Sequence, residues 1–373
     1  MFRIDRRLLQ NFDWLAFFAI VGIAVIGVLT IFSATRQPLD NSQSPLFIKQ
    51  IVWLFIGVCG LVVFVSFDYI WLSRLSIPVY IVAVVLLVIV LITGRVGMGA
   101  QRWLNVGPIA FQPSEFFKLA FVIMTARFLS LDHRPISMTQ LARMAFIIAL
   151  PPFILLIKQP DLGTAVVVAA IFFSMLLARG LERKTLIFII ILGLVSLPFL
   201  GNILWTGLKD YQKNRIISFI DPEADPSGIG YHINQSKVAI GSGELIGKGF
   251  LRGTQGPFRF LPERHTDFIF AVFAEEWGFA GSLALLGLYL FVIMRGLDTA
   301  RKAKDEFGRM LAVGVTFMFC VYFFVNVGMT LGIMPVVGVP LPFMSYGGTA
   351  LLSNFIAAGV LINVRTRRFS LFY

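Results

Sequence analysis

The sequence predicts an all-α polytopic membrane protein with ten transmembrane helices, both termini in the cytoplasm, and one large extracytoplasmic loop between the seventh and eighth helices. Of the 373 residues, 57% are hydrophobic and only 14% are charged, and the mean hydropathy is +0.83. The apolar residues form long continuous runs, and a helix needs about 20 such residues to cross the hydrocarbon. Because the runs lack period-two alternation, a β-barrel is not expected.

Nine apolar segments account for the ten predicted spans. Five are free of charged residues and lie at 14–35, 50–67, 75–94, 162–178 and 185–208. A sixth charge-free run, 310–364, is too long for one span. We expect its prolines and glycines to divide it into two helices joined by a re-entrant loop; these residues are Pro335, Pro340, Pro342, Gly347 and Gly348. Three weaker segments contain charged residues and lie at 113–131, 141–157 and 267–294.

The distribution of Lys and Arg predicts the orientation, because cytoplasmic loops retain positive charge. With the N-terminus inside, basic residues at both ends of the chain are cytoplasmic: Arg3, Arg6, Arg7, Arg365, Arg367 and Arg368. The formal net charge of +12 is therefore mainly a topology signal. Nucleic-acid binding requires basic and aromatic residues clustered on a solvated face, and the sequence shows no such cluster.

The chain is predicted to be one membrane domain, 1–373, with a single long outer loop at about 201–266. Long ordered loops are usually functional. Residues 208–220 place apolar side chains opposite Lys209, Lys213 and Arg215, which predicts an amphipathic helix on the outer membrane surface. Turns at Asp221-Pro222 and Asp225-Pro226, a short helix at 231–240 and a glycine-rich stretch at 241–250 follow. The alternative is a flexible linker.

Ionisable residues inside spanning helices usually mark functional sites. Glu115 and Lys118 share one face near the outer end of the fourth helix, where the alternative is a local ion pair. Asp161 lies in the short outer turn between the fifth and sixth helices, where the alternative is a helix cap.

The segment LPERHTDFIF, residues 261–270, is the richest in candidate catalytic groups. Asp267 is expected within the first turn of the eighth helix, where backbone N–H groups and the helix dipole favour a carboxylate. Arg264 and His265 precede it, so a base and a cation able to hold phosphate are close in sequence. The alternative is an N-terminal cap. Since His265 has no HxxxH or HxH partner, no metal site is predicted.

Five sequence motifs together resemble one known family. They are QRWLNVGPIAFQPSEFFKLA (101–120), KQPDLGTA (158–165), NQSKVAIGSGELIGKGF (234–250), LPERHTDFIFAVFAEEWG (261–278) and MPVVGVPLPFMSYGGTALL (334–352). In this order they resemble the SEDS proteins (shape, elongation, division and sporulation) over essentially the whole chain. The arginine at position 264 makes the chain resemble the RodA-like elongation branch, because the division-specific paralogue usually carries a small residue or glutamine at this position.

The resemblance implies a peptidoglycan glycosyltransferase, a multi-pass protein of the bacterial cytoplasmic (inner) membrane. Such an enzyme polymerises lipid II into β-1,4-linked glycan strands and releases undecaprenyl diphosphate. Asp267 matches the essential aspartate of the family and is the expected base. Four basic residues are candidates for holding the diphosphate: Arg102, Lys118, Arg264 and His265. Glu115 would position Lys118 or the acceptor. Further substrate-binding residues are expected at Asp161, Gln235, Ser236, Ser345 and Tyr346.

The expected partner is a class B penicillin-binding protein, a transpeptidase, with other elongation-complex membrane proteins further out. No cofactor is expected apart from a divalent cation, Mg²⁺ or Mn²⁺, which could bridge Asp267 and the diphosphate; one carboxylate is a poor basis for naming it.

Two other functions stay open. A lipid II flippase is favoured by Glu275 and Glu276, which are expected about two turns deeper than Asp267. The other is a non-catalytic scaffold of the elongation complex.

Overall fold

The computed structural model describes residues 10–36, 45–97, 100–106, 109–207, 210–225, 228–256 and 260–369. These residues are mostly helical. In chain order the elements are α1 (Trp14–Thr35), α2 (Leu46–Ser66), α3 (Ile70–Thr93), β1 (Arg95–Gly97), β2 (Ala100–Val106), β3 (Ile109–Phe111), α4 (Pro113–Ser130), α5 (Met138–Met144), α6 (Leu150–Lys158), α7 (Leu162–Arg179), α8 (Arg183–Gly207), α9 (Asp210–Ile220), α10 (Ile229–Ser242), α11 (Ile269–Arg301), α12 (Glu306–Thr330) and α13 (Gly348–Thr366). Four residues named above, Arg3, Arg6, Arg7 and Lys209, and the turn at Pro226 lie outside the described residues.

Eight helical segments in the described part of the chain are long and apolar enough to cross a membrane. They are α1, α2, α3, the continuous stretch Met138–Lys158, α7, α11, α12 and α13. Within Met138–Lys158, a π-helical turn (Ala145–Ala149) joins α5 to α6. Pro151 and Pro152 follow this turn, and since proline lacks an amide hydrogen, the local departure from α-helical bonding is expected there. Helices α4 and α8 occupy the two other predicted span positions.

Helices α12 and α13 form the centre of the bundle. α13 packs against α2, and α12 packs against α4, α7 and α11. The loop 331–347 between α12 and α13 turns back into the bundle, where Phe343 packs against Phe319 of α12 and Phe355 of α13. Large apolar side chains on α2 and α3, such as Phe55 and Ile92, are exposed, as expected for surfaces that face lipid.

The three short strands between α3 and α4 were not predicted from the sequence. They form an antiparallel sheet in the order β1-β2-β3, in which Arg95 pairs with Trp103 and Leu104 with Phe111. The all-α prediction is corrected in this segment. The sheet lies at the end of the bundle that also carries α9, α10 and residues 243–256 and 260–268, which we call the loop end.

The opposite end of the bundle is held by buried ion pairs. Arg365 of α13 is 2.8 Å from both Asp13 and Asp298. Arg295 of α11 also pairs with Asp13, at 2.6 Å. The network therefore ties the ends of α1, α11 and α13 together.

Candidate active site

Asp267 lies in a turn that precedes α11, not in the first turn of the helix, which begins at Ile269. The turn spans 261–268. Glu263, at φ +50°, accepts a hydrogen bond from Thr266 Oγ1 at 2.8 Å on its carboxylate, and its carbonyl accepts from the amide of Phe268 at 3.2 Å. Asp267 therefore projects from a tightly bonded turn.

Three consecutive carbonyl groups of this turn are held from outside. The His265 carbonyl accepts from the amide of Tyr346 at 2.8 Å, and the Thr266 carbonyl accepts from Ser345 Oγ at 2.7 Å. The Asp267 carbonyl accepts from Asn326 Nδ2 at 3.0 Å. The loop 331–347 and α12 thus fix the backbone on which the Asp267 carboxylate stands.

Asn326 links the two segments that build the site. Its Nδ2 donates both to Asp267 and to the carbonyl of Val339 at 2.8 Å, and its side chain is fully buried. Sequence reasoning missed Asn326, because an asparagine near the end of an apolar helix carries no local sign of what it binds.

The Asp267 carboxylate is half-buried and has charged neighbours from three segments. Its pKa is raised to about 6, because burial and the negative charge of Glu263 raise it by more than the positive charges of Arg215 and Arg102 lower it. At pH 7 the Asp267 carboxyl group is therefore ionised in most molecules, so it can accept a proton. It is a stronger base than an ordinary aspartate.

Arg102 reaches the site from β2. Its Nη2 donates to the carbonyl of Pro160 at 2.9 Å and lies 3.6 Å from Asp161 Oδ1. Asp161 is itself the N-cap of α7, where it accepts from the Thr164 amide at 3.2 Å and from Thr164 Oγ1 at 2.8 Å. The capping role considered for Asp161 is therefore present, and the same carboxylate helps to hold Arg102.

Arg215 of α9 is a site residue that the sequence did not single out. A Cβ atom placed on Gly338 would lie 3.5 Å from Asp267 Oδ2 and 3.8 Å from Arg215 Nη1. The sequence pattern that could have indicated Arg215 was the basic side of the amphipathic helix. Whether that side lies near Asp267 depends on tertiary packing, which the pattern does not show.

Glu115 and Lys118 form a buried ion pair inside the bundle. Lys118 Nζ lies 2.7 Å from Glu115 Oε1, and both side chains are almost fully buried. The ammonium also stands 4.5 Å from the ring centre of Tyr322. The Glu115 carbonyl accepts from Ser353 Oγ at 2.8 Å. The pair therefore has partners from α12 and α13 and is not directed outward.

The other predicted substrate-binding residues lie around the same end of the bundle. Ser236 is buried and donates to the carbonyl of Thr330 at 2.7 Å, which fastens α10 to α12. Gln235 and Arg264 are half-buried. The His265 ring contacts that of Tyr346 at 5.7 Å. Burial lowers the pKa of His265, Glu263 raises it and Arg264 lowers it, so at neutral pH the imidazole is uncharged and offers a hydrogen bond instead of a positive charge.

Helix α11 is broken at Gly278, where φ is +64° and ψ is −163°. The glycine-rich loop supplies the hydrogen bonds that the break removes. The amides of Lys248 and Gly249 donate to the carbonyls of Glu275 and Glu276 at 3.0 and 2.9 Å. In return the amides of residues 279 and 280 donate to the carbonyls of residues 244 and 245. The loop thus satisfies the ends of both halves of α11.

The break also decides the depth of Asp267. Gly296 of α11 packs directly against Thr316 of α12. Asn326 lies ten residues from Thr316 along α12, and Glu276 lies twenty residues from Gly296 along α11, both toward the loop end. At 1.5 Å per residue, Asn326 is about 15 Å from the crossing and Glu276 about 30 Å. Because Asp267 is bound to Asn326, it lies nearer the bundle centre than Glu276. This corrects the expected order of depth.

Glu275 and Glu276 hold the loop and α1 in place. Glu275 Oε1 accepts from Lys248 Nζ at 2.6 Å and from Thr254 Oγ1 at 2.7 Å, and Glu276 accepts from Ser33 of α1. Both side chains are buried. They do not form the deeper polar pathway that would have favoured a flippase.

The residues around Asp267 fit a divalent cation poorly. Within the described residues, no three His, Cys, Asp or Glu side chains gather closely enough to hold a metal ion. Glu263, the nearest acidic neighbour in the turn, already accepts the hydrogen bond from Thr266. No step of the reaction is therefore assigned to a cation.

The fold and the site define a multi-pass membrane protein with a half-buried carboxylate, flanked by arginines, at one end of its helix bundle. The chain belongs to the FtsW/RodA/SpoVE family of cell cycle proteins, which matches residues 13–369. It is 43% identical over 350 residues to the peptidoglycan glycosyltransferase MrdB of Escherichia coli strain K12, covering 94% of this chain and 92% of that protein. It is 33% identical over 427 residues to the peptidoglycan glycosyltransferase RodA of Treponema pallidum strain Nichols, covering 96% and 98%.

Two solved structures have the same fold. One chain, from work described as structural coordination of polymerization and crosslinking by a peptidoglycan synthase complex, matches with a TM-score of 0.81 and 32% identity, over 96% of this chain and 99% of that one. The crystal structure of the rod shape determining protein RodA of Thermus thermophilus matches with a TM-score of 0.70 and 30% identity, over 96% and 98%.

Proposed function

We propose that this chain is a peptidoglycan glycosyltransferase of the elongation branch, which polymerises lipid II into β-1,4-linked glycan strands and releases undecaprenyl diphosphate. The observation that carries the proposal is the setting of Asp267. It is a half-buried carboxylate with two arginines within electrostatic reach, in a chain 43% identical to a peptidoglycan glycosyltransferase.

In the proposed reaction, the 4-hydroxyl oxygen of one lipid II forms a bond to the anomeric carbon of the growing strand. The bond from that carbon to the phosphate oxygen breaks, and its electron pair leaves with undecaprenyl diphosphate. The proton of the attacking hydroxyl passes to the Asp267 carboxylate. Since attack comes from the face opposite the leaving group, the linkage inverts from α to β.

The environment of Asp267 suits a general base. A base is most effective when its pKa lies close to the working pH, and burial raises the pKa of this carboxyl to about 6. Arg102 and Arg264 are proposed to hold the diphosphate, because a guanidinium binds phosphate oxygens in pairs. Glu115 and Lys118 stay predicted ligands, and each would have to exchange its present partner for the substrate.

We further propose that α4 and α8 also cross the membrane, which gives ten spans, and that the loop end faces outward from the bacterial cytoplasmic membrane. Basic side chains at the other end support this orientation: Arg179, Arg309 and Arg365 all lie there. A lipid-linked substrate then reaches Asp267 by moving laterally in the outer leaflet.

The proposed partner is a class B penicillin-binding protein, with other elongation-complex membrane proteins further out. Support comes from the structural neighbour with a TM-score of 0.81, which is described with a peptidoglycan synthase complex that coordinates polymerization and crosslinking. A transpeptidase would crosslink the strands that the glycosyltransferase releases at the same membrane face.

Polymerisation of lipid II in detergent tests the proposed function. The purified chain, with its transpeptidase partner present, should convert lipid II into glycan strands that muramidase digests. In detergent there is no bilayer to cross, so a flippase gives no product in this assay. Absence of polymer from folded wild-type protein would refute the enzymatic function and leave the flippase and the scaffold.

A further inference from the structure

Helix α9 presents one polar face to the protein. Gln212, Arg215 and Ser218 recur every three residues and therefore share a face of the helix. Gln212 and Ser218 are buried, and Ser218 Oγ lies 3.3 Å from Asp225 Oδ2, at the start of the next segment. This face, with Arg215 at its middle, is directed into the molecule and not to lipid.

Gly338 lies close to both Arg215 and Asp267. A Cβ atom at this position would lie 3.5 Å from Asp267 Oδ2, and 3.8 and 4.0 Å from the two terminal nitrogens of Arg215. With φ at +73°, Gly338 adopts a conformation that residues with side chains rarely enter. A carboxylate oxygen and a guanidinium therefore both lie close to the same point of the backbone, and no side chain covers them there.

We propose that Arg215 is an anion-binding residue of this site, and that its guanidinium receives the diphosphate oxygens of the lipid-linked substrate opposite Asp267. The inference rests on the proposed function and adds a ligand from the long loop. Arg215 from α9 and Arg102 from β2 thus bring guanidinium groups from two separate elements near the Asp267 carboxylate. Two such groups match a leaving group that carries two phosphates.

The chemistry explains why the cation belongs here. Negative charge grows on the diphosphate as the carbon–oxygen bond breaks, and a fixed guanidinium stabilises that charge more in the transition state than in the bound substrate. Arg215 also favours the ionised form of Asp267. Because α9 belongs to the long loop, this binding group is delivered by the loop and not by the membrane-spanning bundle.

Three variants separate anion binding from a merely structural role. Arg215→Gln removes the charge, Arg215→Lys keeps the charge without the planar fork, and Lys213→Gln is the matched control on the same helix. We expect Arg215→Gln to raise KM and lower kcat/KM at least tenfold, with Arg215→Lys between it and wild type. Lys213→Gln should stay near wild type.

The pH profile of kcat/KM is a readout that a structural role would not move. The charged groups that act on the Asp267 carboxylate are Glu263 from its own turn, Arg102 from β2 and Arg215 from α9. Of these, Arg102 and Arg215 lower its pKa. Loss of Arg215 should therefore shift the acid limb to higher pH, and Lys213→Gln should leave it in place.

Binding of inorganic diphosphate, followed as thermal stabilisation of the purified protein, tests the inference without turnover. Wild type and Lys213→Gln should be stabilised, and Arg215→Gln should need at least tenfold more diphosphate for the same effect. Equal stabilisation of Arg215→Gln and wild type, or none of wild type, would overturn the proposal. If diphosphate binding depends on Arg215 but wild type makes no polymer, the proposed function fails and the anion site stands.

Discussion

Replacing Glu275 by alanine should release the glycine-rich loop from α11. The fully buried carboxylate accepts hydrogen bonds from Lys248 Nζ at 2.6 Å, from the Thr254 amide at 2.8 Å, and from the Gln255 amide at 3.1 Å. With the Thr254 hydroxyl, which donates at 2.7 Å, one side chain thus holds four groups of the loop.

The cost follows from what each donor can do afterwards. Lys248 is 29% exposed, so its ammonium can turn to water and adds little. The two amides bond to a fully buried carboxylate, and an unsatisfied buried donor costs about 1–3 kcal/mol. Loss of both should weaken the docking of the loop by about 3 kcal/mol, which is about a hundredfold in an opening equilibrium. Glu275→Gln keeps an acceptor and should lose less.

Amide hydrogen exchange measures this opening directly. In Glu275→Ala the amides of residues 248–255 should exchange about a hundredfold faster than in wild type, with little change in α12. Glu244→Gln, an exposed carboxylate in the same loop, is the control and should leave protection unchanged. If Glu275→Ala changes protection by less than about threefold, the loop is held by other contacts and the reasoning is wrong.

Three other perturbations have definite outcomes. Arg365→Met leaves the buried Asp13 with one fewer cation and should cost about 3 kcal/mol, seen as a lower thermal midpoint in detergent. Gly278→Ala places a side chain at φ +64° against the backbone of the loop and should lower the yield of folded protein. The kcat/KM of polymerisation should fall as the pH drops through about 6, where Asp267 gains its proton. Glu263→Gln should move this limb to lower pH, because Glu263 raises the pKa of Asp267.

Each of these has a clear contrary result. An unchanged thermal midpoint in Arg365→Met would show that the ion pairs at that end add no stability. Normal yield of Gly278→Ala would mean that the break does not need glycine. An acid limb near pH 4, or one that Glu263→Gln moves upward, would contradict the electrostatic account of Asp267.

The helices could be predicted because hydropathy is local. The runs at 75–94 and 185–208 correspond to α3 (Ile70–Thr93) and α8 (Arg183–Gly207), and the amphipathic stretch 208–220 to α9 (Asp210–Ile220). Each of these patterns is contained in the residues of the element itself. The same holds for the Asp267 segment, where a carboxylate and basic residues are adjacent in the chain.

The break at Gly278 could not be read from α11, because its hydrogen bonds are supplied by residues 244–249 of another segment. Asn326 and Arg215 were missed for the same reason: each acts on Asp267 from an element distant in sequence. The three strands β1, β2 and β3 are short, and strands of three residues are too short to show a hydrophobic pattern. The features that could not be predicted therefore depend on how segments distant in sequence pack against one another, and this packing also fixes the depth of the site.

The central claim is that the Asp267 carboxylate takes the proton from the attacking hydroxyl, and lipid II polymerisation by Asp267→Asn tests it most directly. Loss of a general base lowers rates by about 10²–10⁴, so the variant should fall at least a hundredfold with its thermal midpoint unchanged. Asp221→Asn, at an exposed aspartate of the same long loop, should keep the wild-type rate. Polymerisation by Asp267→Asn within about threefold of wild type would contradict the account.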